Sequence, residues 1–261
     1  MENILCRPFY KEFAWAYDLI IIAPVSSRCD FIKGILSQRG VLYGSNILDT
    51  GCGTGNYSIK LAQRGYIVTG LDISRELISE AKKKSESKSL PLKFEIGDIL
   101  KLSSTQKFDG ILCRGVLNDI IDDKSRREVF FSFACALRKN GVLILDVREW
   151  NSTVIRKTKE PVFEKSVETD KGKLTFRSFT QLDNKTRRML VNERHTIEKD
   201  DEDIVYEYNF IMQCWTKEEL HNNLVNTGFG SIVYFGDYDR NIQMGSTDRI
   251  VAVASLKKVT D

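Results

Sequence analysis

The sequence predicts an α/β protein: a doubly wound, mostly parallel seven-stranded sheet that carries an inserted antiparallel β lid. Three observations predict it. Short apolar runs alternate with amphipathic stretches from Asn46 to Val147, apolar–polar alternation replaces that rhythm after Trp150, and two apolar runs return near the C-terminus. In chain order, residues 8–40 read as helix in two pieces broken near Pro24, with Ser26 or Ser27 as a start signal. Ile47 and Leu48 form a buried strand closed by Asp49. Residues 57–64 set Ile59, Leu61 and Ala62 on one helical face, and Gly65 ends the helix. "YIVTGLD" (66–72) is the second strand, Ser74 caps a helix over 75–86, and "LKFEI" (92–96) and "FDGILC" (108–113) are the third and fourth strands. A helix over 123–141 closes at Gly141, and the buried run "GVLILDV" (141–147) is the fifth strand.

From Val162 to Trp215, turn signals at Asp170–Gly172, Asp183-Asn184 and Lys199–Asp203 divide alternating residues into an antiparallel meander. Thr216 and Glu219 form a capping box that opens a helix over 217–226, and Gly228 ends it. Strands near 231–236 and 249–255 complete the sheet. The chain thus divides into N-terminal helices with a ligand-binding α/β core (1–150), the lid insertion (151–215) and a completion of the core sheet (216–261).

A chain of 261 residues can bury one sizeable core. Its 39 basic and 36 acidic residues leave a formal charge of +3, and the basic residues are scattered, so no nucleic-acid footprint appears. The densest run, Lys82-Lys83-Lys84, closes a predicted helix near Glu80 and Glu86 and reads as a solvated face. Cys6, Cys29, Cys52, Cys113, Cys135 and Cys214 never form C-x-x-C and no signal peptide is read ahead of them, so reduced thiols in a cytoplasmic protein are expected. The run "FAWAYDLIIIAPV" (13–25) is too short to span a bilayer and contains Asp18 and Pro24. The two histidines, His195 and His221, are far apart and make no metal constellation.

The chemistry concentrates between Asn46 and Ser74. Gly51, Gly53 and Gly55 fall within five residues, behind Asp49, and Asp72 ends the next strand. A dinucleotide site would show G-x-G-x-x-G, and its phosphates would be repelled by Asp49 at the mouth of the turn. A sulfonium cation bearing an α-amino group would be welcomed there, while Asp72 keeps the usual task of accepting from ribose hydroxyls.

These residues resemble the class I S-adenosylmethionine-dependent methyltransferases. The resemblance is carried by "LDTGCGTG" (48–55), "GLDIS" (70–74), "GDIL" (97–100), "FDGILCRG" (108–115) and "LRKNGVLILDVR" (137–148), in the family's order. The strands inserted after the fifth resemble the active-site lid of the small-molecule N-methylating group, glycine N-methyltransferase and the aminosugar N,N-dimethyltransferases. "DVREW" (146–150) and "FGDYDRN" (235–241) are similar to glycine N-methyltransferase itself. Where that group has an aromatic residue or histidine after the fourth strand, this chain has Arg114, Asn118 and Asp119, a departure that bears on the substrate.

The resemblance implies S-adenosylmethionine as cofactor and transfer of its methyl group to a nitrogen or oxygen of a small metabolite, mainly by positioning. It implies Asp49, Gly51, Cys52, Gly53 and Thr54 around the methionine portion and Asp72 on the ribose. Ile73, Asp98 and Ile99 fall at the adenine, Tyr17 lines the pocket, and Arg28 or Arg114 takes the cofactor carboxylate. Arg148 is expected to grip an acceptor carboxylate, with Asn118, Asp119 and Tyr238 around the nucleophile and Asp119 as its base. The alternative for Arg148 is a pair with Glu149 or Asp146 that orders the lid hinge. Two other functions stay open: methylation of RNA, which calls for a basic, aromatic-laced surface, and a non-catalytic cofactor-binding module. No metal, nucleic-acid or membrane partner is expected, and a homodimer stays open.

Overall fold

Strands that are apolar on both sides go to the middle of a sheet covered on both faces, and this chain supplies four, at 46–50, 67–72, 108–114 and 137–148, while the alternating run at 92–96 takes an edge. The computed structural model describes residues 4–199 and 202–257. After single turns of 3₁₀ helix at Pro8–Tyr10 and Ala14–Ala16 come α1 (Tyr17–Ile20) and α2 (Val25–Gln38). The alternating core follows: β1 (Asn46–Thr50), α3 (Asn56–Gln63), β2 (Ile67–Asp72), α4 (Arg75–Ser85) and β3 (Leu92–Ile96). It continues with β4 (Phe108–Arg114), α5 (Asp123–Ala136) and β5 (Leu137–Arg148). Next come α6 (Trp150–Lys159) and four long strands: β6 (Val162–Thr169), β7 (Gly172–Asp183), β8 (Arg188–Lys199) and β9 (Glu202–Gln213). The chain closes with α7 (Lys217–Asn226), β10 (Phe229–Phe235) and β11 (Arg249–Leu256).

Seven strands pair in the order β10–β11–β5–β4–β1–β2–β3. All the pairs among β1 to β5 are parallel, whereas β11 runs antiparallel to both β5 and β10. The order reverses between β1 and β4, which opens a crevice at their carboxyl ends. The predicted sheet is therefore the observed one, and β6–β7–β8–β9 form a separate antiparallel meander. Alternation along that meander buries Leu174, Phe176, Met189 and Val191 on one face. Leu174 and Phe176 pack on Phe9, Phe13, Ala16 and Ile20, and Met189 and Val191 on Trp150. The inserted sheet thus sits on the N-terminal segment and α6. Among the described residues no helix is long and apolar enough to cross a membrane.

Local signals explain most boundaries. Ser74 Oγ accepts from Leu77 N–H at 3.0 Å to open α4. Thr216 and Glu219 make the reciprocal capping box of α7. Four expectations need correction. Helix α2 starts at Val25 with Pro24 at its cap position, so neither Ser26 nor Ser27 caps it. Only the second half of the N-terminal region is a long helix; the first is 3₁₀ turns and one short α turn. Helix α5 stops at Ala136, five residues before Gly141. The N–H groups of Gln106 and Lys107 take the carbonyls of Cys135 and Ala136 at 2.8 and 2.9 Å, so the helix ends are satisfied from the neighbouring loop and Leu137 joins a strand. Lys84 is not merely solvated: its ammonium bonds Asp18 at 2.6 Å and Asn56 at 2.8 Å. Helix α6 had no counterpart in the sequence reading, and the turn expected at Lys199–Asp203 lies partly outside the described residues.

Candidate active site

Two cavities open beside the reversal point. The first lies at the ends of β1, β2 and β4 and is lined by Gly51, Gly53, Asp72 and Arg114, with Tyr10 and Tyr17 closing it from the N-terminal segment. The second, about 1030 Å³, lies between the residues that follow β4 and strands β7 to β9. Ile73, Asp98, Asp119 and Ile120 line both, so the two meet.

The glycine turn builds the first cavity out of bare backbone. Gly51, Gly53 and Gly55 all have φ between 54° and 77°, a region that a side chain resists. A Cβ on Gly51 would overlap Val116, and one on Gly55 would overlap the Phe94 ring. At Gly53 nothing lies within 4 Å of that position, which leaves room for a ligand against the main chain. Asp72 holds the turn in place: one carboxylate oxygen accepts from Gly53 N–H at 2.8 Å, the other from Ser74 N–H at 2.9 Å. A carboxylate has about four lone-pair sites, so acceptor capacity remains. Burial pushes the Asp72 carboxyl above its usual range, against those backbone bonds. Asp98 caps the 3₁₀ turn Ile99–Lys101 through Leu100 N–H at 2.9 Å, which sets Asp98 and Ile99 at the cavity wall.

Asp49 stands fully buried behind that lining. Its Oδ2 accepts from the Ser58 hydroxyl at 2.6 Å, while Oδ1 has no partner. Burial raises its carboxyl, opposed first by the Arg114 cation. Arg114 lies over the Tyr57 ring, 3.1 Å from the centroid, and its buried Nε is also unpartnered. Arg114 lines the cavity and suits the carboxylate of an amino-acid group, while Asp49 stands behind the wall and adds negative charge at that end.

Asp119 stands where the cavities join. Its Oδ1 is buried without a partner. Burial raises its carboxyl to about 6, opposed by the Arg7 cation and reinforced by Glu193.

Other expected residues go elsewhere, each for a visible reason. Thr54 donates its hydroxyl to Asp18 at 2.7 Å, and Asn56 and Lys84 hold the same carboxylate, so Thr54 pins the N-terminal segment rather than lining the cavity. The Cys52 side chain packs into a cluster with Ile59, Ile78, Ala81 and Phe94. Arg28 pairs with Asp237 at 2.9 Å in a separate hollow that also includes Tyr238. Tyr238 donates to Asp146 at 2.7 Å. Asn118 donates to the Gln213 carbonyl at 2.8 Å and accepts from Arg148 N–H at 3.1 Å. The Arg148 guanidinium bonds Asp248 at 2.5 Å, where Arg156 also lands at 2.6 Å. Asn118 and Arg148 therefore tie the end of β5 to the last inserted strand and to Asp248. The partner of Arg148 is Asp248, not Glu149 or Asp146, because Asp146 is already held by Arg249, Tyr238 and Gly115 N–H.

Sequence reasoning missed Tyr10, Arg7 and Glu193. Arg7 clasps Glu193 with two bonds, at 3.1 and 2.6 Å, lies 4.0 Å from the Phe210 ring centroid, and donates to the Tyr10 hydroxyl at 3.2 Å. One signal was available. Period-2 alternation along β8 places Glu193 and His195 on the face of Met189 and Val191, where ionisable residues are unusual.

With this geometry in view, the chain was compared with known proteins. The family described as "Methyltransferase domain" matches residues 43–228. The chain belongs to this methyltransferase family. A protein of Geobacillus sp. (strain WCH70) named as a methyltransferase is 33% identical over 141 residues, 53% of this chain and 57% of that protein. A ubiquinone biosynthesis O-methyltransferase of Coxiella burnetii (strain Dugway 5J108-111) is 40% identical over 88 residues, 33% of this chain and 38% of that one. The chain spans about half the length of the first of these curated relatives. An S-adenosylmethionine-dependent methyltransferase from Clostridium acetobutylicum ATCC 824 superposes with a TM-score of 0.78 at 21% identity, covering 95% of this chain and 98% of that one. An amino pentose methyltransferase from Micromonospora echinaspora, solved with S-adenosylmethionine bound, gives 0.70 at 17% identity over 95% and 97%. At such identities the solved structures show the shared fold, which extends over nearly the whole methyltransferase chain. S-adenosylmethionine is the cofactor of the domain. The open glycine cradle at Gly53, the Asp72 carboxylate and the Arg114 cation on the cavity wall fit it.

Proposed function

We propose that this methyltransferase acts on a nitrogen or oxygen of a small metabolite, with Asp119 as the base. The observation that carries the reading is the placement of Asp119, unpartnered and raised to about 6, at the junction of the cofactor cavity and the larger chamber. When bound, S-adenosylmethionine would supply a methyl group on a cationic sulfur, a leaving group able to keep the C–S electron pair. The protein's part is to position and to take a proton. Arg114 would hold the amino-acid end, with Asp49 behind it, Asp72 the ribose, and Asp98 with Ile73 and Ile99 the adenine. The acceptor's nitrogen or oxygen gives its proton to the Asp119 carboxylate, which is ionised above about pH 6.

Two features support a small acceptor over RNA. The chamber is bounded by the inserted sheet, and Lys101 is the one lysine or arginine that lines it among the described residues. The amino pentose methyltransferase of the same fold also acts on a small molecule. The test is transfer of labelled methyl from S-adenosylmethionine to metabolite and RNA fractions by the purified chain. Label in the small-molecule fraction supports the reading, label in RNA replaces it, and cofactor binding without transfer to either leaves a non-catalytic module.

A further inference from the structure

We infer that the acceptor is a bulky, largely apolar amine that lies along the inserted strands with its nitrogen at Asp119; this deepens the methyltransferase reading and rests on it. The first argument is size. At about 1030 Å³ the chamber stands at the top of the range of small-molecule sites, about 300–1,000 Å³. An amino acid would leave most of it to water.

The second argument is the wall. Leu100, Ile120 and Ile121 line it from the core, and Phe179, Leu190 and Ile211 line it from the outward face of the inserted sheet, opposite the face that packs on the N-terminal segment and α6. Those last three are 38%, 41% and 39% exposed, large apolar side chains left in water until something covers them. Tyr208 and Phe210 also line the chamber, as do Asn209 and Ile211. Successive residues of a strand point to opposite faces, so the chamber wraps around β9, the edge strand of its sheet. An extended apolar body can lie against both sides of that edge.

The third argument is charge. Asp98, Asp119 and Asp122 line the chamber against Lys101 alone. Arg7 is close, but Glu193 takes its Nε–Nη2 edge in a bidentate pair and Tyr10 accepts from its Nη1. Asn192 and Asn209 are bonded to each other at 3.0 Å. One lysine stands against three carboxylates, so an acidic acceptor would meet a net negative lining. An alkylammonium is favoured instead: it gives its proton to Asp119, and the nitrogen lone pair so released forms the N–C bond as the C–S bond breaks toward sulfur.

The experiment measures binding and transfer separately. Calorimetry on the full chain with product cofactor (S-adenosylhomocysteine) compares decylamine, a polycyclic alkylamine, decanoate, glycine and a phosphate-bearing aminosugar nucleotide. The same panel is then assayed for methyl transfer. The two apolar amines should bind at least tenfold more tightly than the other three and should be the ones labelled. Leu190→Lys, at an exposed position, should weaken amine binding at least tenfold with cofactor affinity unchanged, whereas Leu190→Met should not. Preferred binding and methylation of glycine, decanoate or the nucleotide would overturn the acceptor class and leave the enzyme a methyltransferase. Tight amine binding without transfer to any acceptor would support the chamber and overturn the catalytic reading. Amine affinity unmoved by Leu190→Lys would overturn the proposed seat.

Discussion

The cofactor cavity and the acceptor chamber meet at Asp119 but are built differently. The cavity is made of strand ends, and its key contacts are short in sequence: Gly53 to Asp72 spans 19 residues and Asp49 to Ser58 spans nine. The chamber is made across the chain, with a lining that runs from Leu5 through Ile120 to Ile211. The first holds a ligand with main chain and buried carboxylates; the second presents apolar side chains of an inserted sheet. A site of this kind can keep one cofactor while its acceptor changes, because the two walls rest on separate elements.

The sharpest way to break that division is at the junction. Asp119→Asn should lower kcat by about 10²–10⁴-fold while calorimetric affinity for S-adenosylmethionine stays within about twofold; a matching loss of cofactor affinity would mean that the two walls are not separable. In the parent protein, kcat/KM should fall as pH drops through about 6, where the carboxylate takes up a proton. Stability should move the other way. The folded value of about 6 lies above the ordinary carboxylate value of about 3.9, so this group's contribution is complete below the unfolded value and is lost as pH rises through 6. Asp119→Asn should therefore be more stable than the parent by about 1–3 kcal/mol at pH 8 and no more stable at pH 4, as denaturant melts at the two pH values would show.

Next in size is the rigid wall. Asp72→Ala removes a carboxylate that braces Gly53 and Ser74 and should weaken cofactor binding by about 1.5–3 kcal/mol, the range of a hydrogen bond to a charged group. Acceptor affinity measured with cofactor saturating should not change. The two arginines come third. Arg114→Ala should weaken cofactor binding about tenfold, one charged contact's worth, whereas Arg28→Ala should leave it unchanged because Arg28 is held by Asp237. Equal losses in the two variants would put Arg28 back in the cavity and blur the boundary drawn here. The smallest effect is expected at the hinge. Arg148→Ala should leave the acceptor KM unaltered and lower stability by about 1 kcal/mol, because Arg156 still holds Asp248; a raised KM would return Arg148 to the substrate.

How much was legible follows the same line. Gly51, Gly53, Asp72, Ile73, Asp98, Ile99 and Arg114 all reach the cavity wall, because each stands at or just past the end of a parallel strand and strand ends share one edge. Asp49, Cys52 and Thr54 were placed at it by the same reasoning and are not on the wall, since proximity in sequence fixes a backbone position but not a side-chain direction. Arg148 shows the limit most plainly. It does follow the fifth strand, yet a guanidinium goes to the nearest carboxylate, and that carboxylate is Asp248, 100 residues on.

By itself, then, the sequence determined the α/β sheet, the order of its elements, the glycine turn with its acidic flanks, and the antiparallel insertion, because all of these are written in local periodicity and in turn and capping residues. Tertiary structure alone decided where α5 ends, which aspartate is left unpartnered at the junction, which arginine is free of an acidic clasp, and how large a chamber the insertion encloses. Those outcomes depend on which charges and apolar faces meet after the sheet reverses its order, and contacts made across some two hundred residues leave no periodic trace in the chain.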